Sequence, residues 1–228
     1  MTDAVAPAPQ AAVVAVAATR EVLDHPELDE SLLRPWELRR LAAIRVPSRR
    51  DDVVAARLLV RLCAARFTGL SPCDTVLDQH CPDCGGFGHG RPSLRTHPGV
   101  GLSYSHADGR VAAAAGAGPI GVDVEPADRR PGPVPVLARL LPEAEVRAAA
   151  GRADPGPALL RLWVRHEALL KAGDGTLPVR DWTDPPCRAV VAVAAAGPLR
   201  TLTTGPARPA GERIGGGGPG PTAVSDPW

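Results

Sequence analysis

The chain has 228 residues, 44% hydrophobic and 3% aromatic, with 26 basic and 25 acidic side chains and a net charge of +1. That length fits one large domain or two small lobes around a sizeable core. Balanced charge excludes a broad basic surface for nucleic acid, the few rings leave little platform for base stacking, and no apolar run is long enough for a membrane span.

Residues 1–11 predict a disordered lead: Asp3 stands where a signal peptide carries positive charge, and Pro7 and Pro9 follow. Five cysteines without a secretory signal fit a reducing cytoplasm better than a disulfide framework. A first strand is expected over residues 12–18. Helical spacing covers 51–67, with Val54, Leu58, Leu62 and Ala65 on one face, Asp51 and Asp52 in the first turn, and Gly69 and Pro72 as the stop. A Cys/Gly/His-rich loop then spans 73–98. Strands at 101–105 and 110–115 flank Ala107-Asp108-Gly109, a hairpin signal. A third strand is expected at 120–125, a Pro-rich linker at 126–135, helices at 136–150 (broken at Pro142) and 157–172, and a strand at 190–195. Residues 205–228 are Gly/Pro-rich and predict a disordered tail. Helix plus strands thus occurs once before the linker and once after it, which divides the folded part into 12–125 and 126–204.

The strand Ile120-Gly121-Val122-Asp123-Val124-Glu125 carries the first chemical signal. Alternation puts the three apolar side chains on one face and Asp123 and Glu125 together on the other, with Gly121 leaving room beside them. Paired carboxylates repel unless they are solvated or share a cation, so this is either a solvent-facing acidic edge or a hard oxygen site suited to Mg²⁺.

The helix Trp163-Val-Arg-His-Glu-Ala-Leu-Leu-Lys171 carries the second. Lys171 is the one lysine among 26 basic residues. A compact ammonium with mobile protons does what a planar, always-charged guanidinium does not. Leu160, Trp163, Val164, Leu170 and Lys171 cluster around Glu167 on a helical projection, which turns Glu167 inward, and Arg161 and Arg165 fall on the far side. The competing reading is an exposed i,i+4 Glu–Lys pair, worth about 0.2–0.5 kcal/mol.

In the loop, Cys81-Pro-Asp-Cys84-Gly-Gly-Phe-Gly-His89 is half of a zinc motif. C-x₂-C supplies two ligands with the proper bite, and His89 with His80 or Cys73 would complete four. Reduced thiols in a Gly-rich loop are the competing reading.

Together, the two acidic segments resemble the Sfp-type 4′-phosphopantetheinyl transferases. That family carries a (V/I)-G-(V/I)-D-(V/I)-E strand, met at residues 121–125, and a W-x-x-K-E-A-x-x-K helix, met at 163–171. Gly90-Arg91-Pro92 resembles its G-K/R-P segment, and Ser103-Tyr104-Ser105-His106 its strand ending in Ser-His. One departure is His166, where the family usually has Lys. It puts that side chain's phosphate or carrier contact in doubt, because His is charged only part of the time near neutral pH.

The resemblance implies an α+β fold of two pseudo-symmetric lobes, each a small, mostly antiparallel sheet packed on a long helix. It implies an Mg²⁺-dependent monomer (Mn²⁺ as the alternative ion) that moves the phosphopantetheine arm of coenzyme A onto a serine of an apo acyl- or peptidyl-carrier protein, releasing 3′,5′-ADP. Asp123, Glu125 and Glu167 would hold the metal. Glu167 would act as base, and Lys171 would contact the pyrophosphate. Arg91, Ser105, His106 and His166 would bind coenzyme A, and Arg49 and Arg50 its 3′-phosphate, with surface solvation as the competing reading for that pair. Rival expectations are a catalytically weak coenzyme A-binding or carrier-docking protein and a zinc-stabilised interaction module.

Overall fold

A computed structural model describes residues 10–81 and 84–204; most of the expected lead and all of the expected tail lie outside the described residues. The fold is α+β. In chain order it comprises β1 (Ala12–Ala18), α1 (Thr19–Leu23), α2 (Pro35–Ala42), α3 (Pro47–Thr68), β2 (Leu77–His80), β3 (Arg91–Leu94), β4 (Val100–Ala107), β5 (Arg110–Ala117) and β6 (Ile120–Pro126). The second half adds α4 (Val134–Leu140), α5 (Glu143–Ala150), α6 (Pro155–Ala172), β7 (Val179–Asp184), β8 (Ala189–Ala195) and β9 (Leu199–Leu202). A six-stranded sheet has the order β2-β3-β4-β5-β1-β9, and a three-stranded sheet the order β6-β8-β7.

These elements stack as helix, sheet, sheet, helix. Val13, Ala15 and Ala17 of β1 point to α3 with Val111, Ala113 and Ala115 of β5. Their alternate neighbours Ala12, Val14, Ala112 and Ala114 meet Ile120, Val122, Val124, Val191 and Val193 of the second sheet. Strands buried on both faces read as continuous apolar runs, which is why β1 and β5 are almost entirely Ala and Val. The outer face of the second sheet, through Val190, Ala192 and Ala194, packs on Leu160, Val164, Ala168 and Ala172 of α6. The halves are unequal, six strands on α3 and three on α6. They also exchange strands: β6, expected in the first lobe, pairs along its whole length with β8, and β9 returns to lie parallel to β1.

Several expectations shift. α3 begins at Pro47, with proline in its first turn, so Asp51 and Asp52 sit beyond that turn. Asp52 is buried and accepts hydrogen bonds from Thr19 Oγ1 (2.5 Å) and from the Gly109 amide (3.1 and 3.2 Å). It therefore ties the Asp108-Gly109 turn, whose φ angles are 42° and 80°, to the helix. The 73–98 segment is not one loop: it contains β2 and β3, each four residues long and antiparallel to the other. The Pro-bounded 178–186 stretch contains β7, an edge strand of the kind that tolerates prolines at its ends.

Gly121 decides where α6 lies. A Cβ there would run into the carbonyl oxygen of Ala168 and come within 2.6 Å of the Ala172 amide nitrogen. Gly121→Ala must push helix backbone away from strand backbone, an overpacking cost of about 1–3 kcal/mol or more. We expect urea denaturation to show that loss for Gly121→Ala, and a change within about 0.5 kcal/mol for Gly132→Ala, where nothing stands within 4 Å of the added carbon.

Candidate active site

β6 is an edge strand, and β4 from the other sheet runs beside it. Ser103 and Ser105, two residues apart, share the face of β4 turned to β6. Ser103 Oγ accepts the Val122 amide at 3.0 Å, and Ser105 Oγ donates to Asp123 Oδ1 at 2.8 Å. From the last turn of α6, Lys171 Nζ donates to Asp123 Oδ1 at 2.5 Å and to Ser105 Oγ at 2.9 Å. One strand from each sheet and a helix thus converge on one carboxylate. Asp123 is only 4% exposed, and its second oxygen, Oδ2, is buried without a hydrogen-bond partner among the described residues. A buried carboxylate oxygen left unsatisfied is costly, and it is an acceptor suited to a cation.

The neighbouring acid is neutralised differently. Buried Glu125 pairs with Arg129, whose guanidinium also lies 5.9 Å from the Trp163 ring centroid. The acidic face of β6 is therefore no solvated edge: each carboxylate has its own basic partner.

Glu167 departs from expectation. The buried row of α6 is Leu160, Val164, Ala168 and Ala172, and Leu170, expected inside, is 58% exposed. Glu167 is half-buried at the flank, and among the described residues its side chain has neither an ion pair nor a hydrogen bond. The i,i+4 pair with Lys171 does not form, because Lys171 turns to Asp123 instead. Asp123, Glu125 and Glu167 do not gather their oxygens as tightly as the Cys81, Cys84 and His89 ligand atoms, which lie within 4.8 Å of one another. His166 is half-buried, its imidazole likewise without a hydrogen bond among the described residues. Arg161 and Arg165, on the far side of α6 as expected, are held by Asp181 of β7 at 2.6 and 2.7 Å.

Strand alternation separates two residues that the sequence puts side by side. Ser105 faces β6, whereas Tyr104 and His106 face α3. His106 lines two neighbouring clefts together with Arg49, of about 530 and 620 Å³. The first is also lined by Arg40, Arg45 and Arg57, with no carboxylate among its lining residues, so its walls carry positive charge. Arg50, one residue from Arg49, is instead held by Glu30 in a two-bond ion pair. Arg91 lies against the C-terminus of α6, where a Cβ at Gly173 would overlap its guanidinium. With Lys171, Gln79 and Tyr104 it lines a further cavity of about 220 Å³.

Behind that cavity stands a charged triad that sequence reasoning missed. Glu37 of α2, fully buried, pairs with Arg57 (2.8 Å) and Arg61 (2.5 Å) of α3 and accepts the Arg34 amide at 2.8 Å. Arg57 also reaches Gln79 Oε1 at 3.3 Å and stacks over Trp36 and Tyr104. The i,i+4 arginines lay within an apolar helical stretch, and that was the available signal. Two guanidiniums against one carboxylate leave a net positive charge close to the cavity floor.

Comparison with known protein families matches residues 119–209 to the 4′-phosphopantetheinyl transferase superfamily, a span covering less than half of the chain. No curated protein matches the chain. The matched span contains Asp123, Glu125, His166, Glu167 and Lys171, whereas Arg49, Arg91, Ser105 and His106 lie outside it. Among the described residues no helix is long and apolar enough to cross a membrane.

Two measurements test this electrostatic frame. Glu37→Gln leaves two buried guanidiniums without a counter-charge, and a loss of about 3–5 kcal/mol in denaturation is expected. Burial holds the His106 imidazole below its usual 6.5, helped by the charges of Lys171, Arg49 and Arg57 and opposed by Asp52. The unfolded chain therefore takes up that proton first. The stability contribution is complete above pH 6.5 and is lost as pH falls through that value toward the folded one. Between pH ~7.5 and ~5.5, His106→Gln should lose less stability than the unaltered protein in urea titrations.

Proposed function

We propose that the protein transfers the 4′-phosphopantetheine arm of coenzyme A to a serine of an apo carrier protein and releases 3′,5′-ADP. The observation that carries this reading is the convergence of Lys171, Asp123 and Ser105 within and beside the superfamily-matched span. The anionic co-substrate finds a chemical match in the two basic regions, one with Arg91 and Lys171 and one with Arg49, Arg40, Arg45 and His106.

The serine hydroxyl oxygen would attack the phosphorus bearing the pantetheine arm, and the bond from that phosphorus to the nucleotide phosphate would break. Glu167, with no competing ion pair among the described residues, would take the hydroxyl proton. Lys171 would turn from Asp123 to the pyrophosphate and offset charge on the departing nucleotide. Asp123, Glu125 and Glu167 would hold a divalent cation, Mg²⁺ or Mn²⁺, and Oδ2 of Asp123, unpartnered among the described residues, supports this assignment. When bound, that ion supplies charge neutralisation along the pyrophosphate. Arg91 and Arg49, with His106, would orient coenzyme A through its phosphates, and His166 stands at the position of the usual lysine. Arg50 is the weakest of the proposed contacts, because Glu30 already occupies it. We infer a monomer acting in the cytoplasm.

Intact-mass measurement on an apo carrier protein incubated with coenzyme A and Mg²⁺ tests the reading. One phosphopantetheine should be added per carrier, with the rate reduced ~10²-fold or more in Glu167→Gln and Asp123→Ala. Lys171→Arg should fall clearly below the unaltered enzyme, since a fork-shaped guanidinium does not replace an ammonium here. Coenzyme A binding with several carriers left unmodified would favour the catalytically weak binding protein instead.

A further inference from the structure

The geometry points to a second metal site, remote in chemistry from the acidic face: a zinc ion bound by Cys81, Cys84 and His89. One ligand atom from each lies within 4.8 Å of the others. Cys84 Sγ and His89 Nε2 are 3.1 Å apart. A zinc ion at its normal bond lengths to sulfur and imidazole sets two such tetrahedral ligands roughly 3.6 Å apart. The pair therefore needs to open by only about half an ångström to admit the ion.

The backbone is shaped to bring these side chains together. The Cys81 amide donates to the Gly86 carbonyl and the Gly85 amide to the Cys81 carbonyl, each at 2.9 Å, which holds the backbone on either side of the two cysteines close together. Gly85 sits at φ 66°, a conformation that glycine adopts without strain. The Gly86 amide donates to Cys84 Sγ at 3.3 Å, a contact that favours the thiolate a metal requires. A Cβ on Gly86 would lie 2.7 Å from His89 Cε1 and 3.0 Å from Cys84 Sγ, so His89 reaches the sulfur only because this position lacks a side chain.

Soft sulfur with imidazole selects zinc over the hard cations of the acidic face. The fourth position is left to water or an added ligand, because the other sequence candidates, His80 and Cys73, do not bring a ligand atom into this cluster. His80 packs edge-on against Phe87 at 4.7 Å, and Cys73 contacts Ser71 Oγ at 2.6 Å in a separate turn. The ion would clamp the connection between β2 and β3. Arg91 begins β3 two residues after His89, and the Gly88 carbonyl accepts from Arg40. Zinc would thereby steady two of the arginines that line the basic cavities. This inference stands whether or not the protein transfers phosphopantetheine.

The test is metal analysis of the full-length, tag-free protein, isolated with reductant and again after reconstitution with zinc alone. About one zinc per chain is expected. Cobalt exchanged into the unaltered protein should show thiolate-to-metal charge transfer and tetrahedral absorption. Cys84→Ser and His89→Ala should each bind zinc at least ~10-fold more weakly, and Cys73→Ser should bind as the unaltered protein does. Chelation should raise hydrogen exchange across residues 77–94 while the rest of the six-stranded sheet is unchanged. Failure of reconstituted protein to take up zinc, cobalt spectra without thiolate bands, or equal weakening in Cys73→Ser would overturn the assignment. The cobalt spectrum decides the matter even if the variants fold poorly.

Discussion

Direct contact between helix and strand backbone at Gly121 is the constraint on which the rest of the site depends. The i+4 row Leu160, Val164, Ala168 and Ala172 shrinks from large to small toward the C-terminus of α6, so the helix comes closest where it passes Gly121. Asp123 and Glu125 follow on the same strand face, two residues being one period of the pleat. Close approach is what lets a lysine on the helix flank bond an aspartate on the strand and a serine on the next sheet. A side chain at position 121 would move the helix, and every distance at the site with it.

Charge is distributed with the same economy. Asp123 is matched by Lys171, Glu125 by Arg129, and Glu37 by Arg57 and Arg61. Buried ions need such partners because desolvation alone costs several kcal/mol per charge. The lysine has a role here that arginine does not fill. Its single nitrogen donates at one point to two oxygens that are themselves hydrogen-bonded, where a planar fork would need a wider opening.

Much of this was legible in the sequence. β1, β5 and β8 are unmistakable apolar runs, the Asp-Gly turn marked its hairpin, and alternation along 120–125 correctly separated the acids from the valines. Less visible were contacts that depend on how elements meet. Nothing local shows that β6 would join the second sheet or β9 the first, since strand order is settled by packing of distant segments. Helical projection placed Glu167 inward by giving weight to Leu170, but small alanines set the inner row and leave that leucine in solvent. Arg49, Arg50, Ser105 and His106 were read as neighbours in sequence, and each adjacent pair parts in space. Arg50 goes to Glu30 and Arg49 to a basic cleft, while the pleat sends Ser105 and His106 to opposite faces of β4. Short strands such as β2 and β3 escape notice because glycines crowd the segment between them.

The parallel pairing of β9 with β1 has a consequence for how the chain is made. β1 is among the first described segments to leave a ribosome, and its partner at residues 199–202 is the last described strand. The six-stranded sheet therefore cannot be completed during synthesis until nearly all of the described chain has emerged. Contacts of such long sequence separation slow folding. Until then one edge of β1, rich in valine and alanine, presents unpaired amides and carbonyls to any neighbouring strand. A nascent chain of this fold is most exposed to mispairing in the interval before β9 arrives, and a chaperone that shields apolar edges would act in that window.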